Sequence, residues 1–85
     1  MSKYQECADL IIEIMTYSSV DNQIANECKL DSVVESMLIF LDYEDLIEII
    51  TMRVIPRLLP KINKRWYEWY TNKIKYWNEC INNNE

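Results

Sequence analysis

No glycine occurs anywhere in this 85-residue chain, and that absence restricts its backbone more than any motif does. Glycine supplies positive φ and close backbone approach, which phosphate-cradling loops, dinucleotide-binding fingerprints and Asn-Gly hairpins all require. Nucleotide-binding enzymes of those types are therefore excluded. Histidine is absent too, which removes Ser-His and Cys-His dyads, His-containing zinc and haem sites, and any side chain with an ordinary pKa near neutrality.

The remaining pattern is helical. Ser2 and Gln5 have capping-box spacing before Tyr4, Cys7, Ala8, Ile11, Ile14 and Met15, which recur at three and four residues and predict a helix over about 3–17. Leu10, Ile12 and Tyr17 widen its apolar arc beyond what one neighbour covers. Tyr17 to Asn22 reads as a break, and Val20, Ile24 and Cys28 mark a short helix over about 20–28. Asp31, Ser32 and Glu35 form a second capping-box pattern, opening a helix over about 32–41. The apolar phase breaks at Asp42, which is placed to cap a helix over about 43–54 with Glu44, Asp45 and Glu48 in its early turns. Pro56 and Pro60 predict a corner or single turn between them, and the last helix runs over about 60–81.

That last helix carries Trp66, Tyr67, Trp69, Tyr70, Ile74, Tyr76, Trp77, Cys80 and Ile81 on one half-cylinder, interrupted by Asn63 and Lys73. The expected fold is all-α: a single compact domain of four to five short helices closed by a long amphipathic, aromatic-rich C-terminal helix.

A chain this small has a marginal core unless it is very apolar or shared with another chain. Ten aromatic residues favour sharing, so a homodimer is one expectation. The cysteines Cys7, Cys28 and Cys80 have no paired spacing and an odd count; they read as reduced core residues in a cytoplasmic protein. No targeting or membrane-spanning run is visible, the longest apolar stretch being 37–41. Ile, Asn, Lys and Tyr, all written with AT-rich codons, are abundant and point to an AT-rich source such as many phages and viruses have.

Net charge is −5, unevenly spread: residues 1–52 hold eleven carboxylates against two lysines, and residues 53–85 seven cations against three glutamates. The two halves either screen each other or face different partners. No His- or glycine-bearing metal motif accompanies the carboxylates, so no metal or cofactor is expected.

The expected function is a non-enzymatic, acidic protein–protein interaction module, a modulator or inhibitor of the viral or phage type. Its partner-binding residues would be Trp66, Trp69, Tyr70, Lys73 and Trp77 as anchors, since Trp and Tyr dominate interface hot spots. Glu44, Asp45 and Glu48 would steer the encounter. Lys73 has aromatic residues one turn away on both sides, permitting cation–π contact or a snorkelling stem. The alternative is an acidic decoy that imitates nucleic acid and blocks a nucleic-acid-binding enzyme. A third reading, single-strand binding by the basic aromatic helix, has the wrong overall charge and no recognition signature.

Overall fold

The computed structural model describes residues 2–17 and 22–83. Helix α1 spans Lys3–Tyr17, α2 Gln23–Met37, α3 Tyr43–Glu48, α4 Ile55–Leu58 and α5 Lys64–Asn83, with a π-helical segment, Ile49–Val54, between α3 and α4. No described residue is in a strand and none has positive φ, as an all-α fold built without glycine requires. The expected break over 18–21, with Val20, and the polar end at 84–85 lie outside the described residues.

Helix α1 begins as its sequence implies, with the Gln5 N–H donating to Ser2 Oγ at 3.2 Å. Asp42 caps α3: its carboxylate accepts from the Asp45 N–H at 2.9 Å while Asp45 accepts from the Asp42 N–H at 3.3 Å. This reciprocal box satisfies two otherwise orphaned donors.

The second capping-box pattern does not open a helix. The expected helices over 20–28 and 32–41 are one, α2, which ends at Met37, and Ser32 lies in its interior, where its carbonyl accepts from Ser36 Oγ at 2.9 Å. Asp31 points instead at α5, accepting from Trp69 Nε1 at 2.8 Å and Lys73 Nζ at 2.9 Å.

Pro56 does not end the helix before it. Residues 43–58 form one rod, because the π segment widens the turn just ahead of the proline and the Ile55 N–H donates to Ile50 O, five residues back. Pro56 then sits in the first turn of α4, where a missing N–H is tolerated. Extended Leu59 ends the rod. Helix α5 starts at Lys64 rather than near 60, because Asn63 acts as its cap, Oδ1 accepting from the Trp66 N–H at 2.8 Å.

Helices α1 and α2 are antiparallel, with Lys3 beside Phe40 at one end and Tyr17 beside Asn26 at the other. Helix α5 lies along α2, joined by Arg65–Glu27 and by Asp31. The rod lies along α1, joined by Arg53 to Gln5 and Arg57 to Asp9, both at 3.0 Å. One core fills the space between them, built from α1 (Cys7, Ala8, Ile11), α2 (Leu30, Val34), the rod (Leu46, Ile49, Ile50, Val54) and the three tryptophans of α5.

Two substitutions separate the caps. Asp42→Ala should lower unfolding free energy by about 1 kcal/mol, whereas Ser32→Ala should change it by only a few tenths, alanine being the better helix former at an interior position. Urea denaturation followed by circular dichroism reads both.

Candidate functional site

The aromatic half-cylinder of α5 is mostly spent inside the chain. Trp66, Trp69 and Trp77 are 1%, 6% and 2% exposed, with the rings of Trp66 and Trp69 meeting edge-on at 5.9 Å. The three indoles expected as partner anchors are thus core residues, and no second chain is needed to cover them. Tyr70 and Lys73 are half-buried, and only Tyr67 and Tyr76 of the stripe are exposed.

Lys73 does take the cation–π position, its Nζ lying 5.9 Å from the ring centres of both Trp69 and Tyr76. Its ion pair with Asp31 sits on the same carboxylate oxygen that receives the Trp69 indole N–H. One acceptor therefore satisfies a buried donor and neutralises the ammonium that stacks on the ring. Sequence periodicity did not reveal Asp31 in this role, because its partners lie 38 and 42 positions away.

The acidic trio is divided. Glu44 and Glu48 are exposed on α3, but Asp45 is half-buried and engaged by the Asp42 N–H and by the Tyr4 hydroxyl, which donates at 3.3 Å. Asp45 is thus structural, and the trio does not meet the aromatic residues of α5 in one site. Three ion pairs among the described residues, Arg57–Asp9, Arg65–Glu27 and Lys73–Asp31, each join the acidic half to the basic half. Much of the charge asymmetry is therefore used in screening.

Among the thiols, Cys7 is buried, and burial raises it above its ordinary value. Cys28 is exposed, contrary to the expected core position. Cys80 is half-buried and takes hydrogen bonds from the hydroxyls of Tyr43 and Tyr76, which holds both phenols above their ordinary value. The Asp45 carboxylate does the same to Tyr4 by its charge. No group of three Cys, Asp or Glu among the described residues is placed to hold a metal ion, and no described helix is long and apolar enough to cross a membrane.

An open apolar surface lies elsewhere, in the groove between α1 and α2. A cavity of about 370 Å³ is lined by Cys7, Leu10, Val33, Met37 and Phe40, and a second, of about 310 Å³, shares Leu10 and Val33 with it and reaches Tyr17. Leu10 is 43% and Phe40 51% exposed. The wide apolar arc of α1 was the sequence signal for this face; Phe40 was hidden by its assignment to a helix that ends three residues earlier.

Asp31→Ala should cost about 1–3 kcal/mol by stranding the buried indole N–H, and Lys73→Met about 1 kcal/mol or less, since that pair is partly solvated; urea midpoints compare them. A second prediction concerns alkali. Tyr4, Tyr43 and Tyr76 are held neutral more firmly in the folded chain than in the unfolded one, where phenols ionise near 10.0. Their contribution is complete below that pH and is lost as pH rises through the raised values. The urea midpoint should fall above pH 10, and less steeply in a Tyr43→Phe/Tyr76→Phe variant. In comparisons with known proteins, no family model, curated protein or solved structure matches the chain.

Proposed function

We propose that the chain is a non-enzymatic protein–protein interaction module whose contact surface is the apolar face of α1 and α2. The observation that carries this reading is the continuous groove of Cys7, Leu10, Val33, Met37 and Phe40, open along two antiparallel helices. Exposed apolar patches rimmed by polar residues characterise protein contact sites, and a groove between two helices suits a third helix. Glu6 and Glu13 rim its α1 side together with Lys3, and Lys29 rims its α2 side. Exposed Glu44 and Glu48 add an acidic end that would steer a basic partner. Tyr70 and Lys73 support the core in this reading and are not anchors. The module would act inside the cell, where its three free thiols stay reduced, as a modulator or inhibitor of the viral or phage type.

A cationic amphipathic helix of leucine and lysine, of about four turns, is a suitable probe. Added to isotope-labelled protein, it should shift the NMR signals of Leu10, Val33, Met37 and Phe40 and retain most of its affinity at moderate salt. Shifts confined to Glu44 and Glu48, abolished by moderate salt and by Glu44→Gln/Glu48→Gln, would overturn the groove reading in favour of the acidic decoy.

A further inference from the structure

We infer that the partner on the α1/α2 face is a second copy of this chain, docked face to face about a two-fold axis running along the groove. The inference rests on the reading of that groove as a contact surface and adds its occupant. Glu13 and Lys29 line the same stretch of the groove, Glu13 on α1 and Lys29 on α2. Both are exposed, and neither has an ion-pair partner among the described residues. A two-fold along the groove lays α1 of each copy on α2 of the other at the same level, so Glu13 of one copy meets Lys29 of the other, twice. Glu6, at the other end, then faces neutral Ser36.

The competing two-fold, across the groove, would lay α1 on α1 antiparallel and set Glu6 against Glu13, a like-charge contact made twice. Charge therefore selects the first axis. Leu10 and Val33, shared by both halves of the groove, lie at the centre of the interface.

The paired face is two helices of 15 residues, each about 22 Å long and about 10 Å from its neighbour. Such an area falls at the low end for specific interfaces, where complexes are weak and transient, so the dimer should be reversible and is to be sought over about 1–100 μM. The axis also sets both α3 ends on one side of the dimer, since Tyr4 at the start of α1 holds Asp45 of α3.

Sedimentation velocity over that concentration range, with circular dichroism of each variant, tests the assembly. The expected results are a wild-type dimer, a monomer for Leu10→Asp, weakening of roughly tenfold for either Glu13→Lys or Lys29→Glu, and restoration in the double exchange, as a Glu13–Lys29 contact between copies requires. A wild-type chain monomeric throughout, with the cationic helix still shifting the groove residues, would overturn the second copy and leave the groove reading standing. Monomers that also ignore that peptide would overturn both. A dimer indifferent to Leu10→Asp, Glu13→Lys and Lys29→Glu would overturn this interface.

Discussion

Three indoles on one face of a single helix must be buried, and the rest of the structure follows from how that is done. Each tryptophan removed from water contributes about 4–6 kcal/mol of gross transfer free energy, a large share for a chain of 85 residues. Burying an indole without a partner for its N–H is costly. For Trp69 that partner is Asp31, which also draws Lys73 across the ring. Helix α2 is thereby tied to α5 along its length, with Glu27 and Arg65 one turn further on.

Committing α2 and the rod to α5 leaves one face without a helix over it. Helix α1 packs its inner residues on the rod and α2, but Leu10 and Tyr17 on its other edge stay exposed, as does Phe40 beneath the Lys3 ammonium. The opening carries Glu13 on α1 and Lys29 on α2, an arrangement that complements itself when rotated about the groove.

Much of the architecture was legible where one local signal acted alone. The bounds of α1, the Asp42 cap and the aromatic stripe of α5 all follow from spacing. Errors arose where a local signal competed with a distant one. Ser32 and Glu35 imitate a helix start, but Asp31 is claimed by Trp69 and α2 runs through. Pro56 imitates a helix end, but π-helical spacing before it makes room for the ring. The candidate site suffered most, because a stripe of Trp and Tyr has the same periodicity whether it faces a partner or the chain's own core. The distinction lies in which other helices reach it, and a single helix's spacing does not contain that information. The α1/α2 groove was only half visible, through the over-wide arc of α1.

The central claim is that the aromatic face of α5 is closed within one chain while the open face lies on α1 and α2. Tryptophan emission with acrylamide quenching, recorded at a dilution where the chain is monomeric, tests it most directly. The structure predicts blue-shifted emission and poor quenching in the monomer, since all three indoles are buried without help from another chain. Red-shifted, freely quenched emission that becomes protected only on association would show the aromatic face to be the interface and would contradict this account.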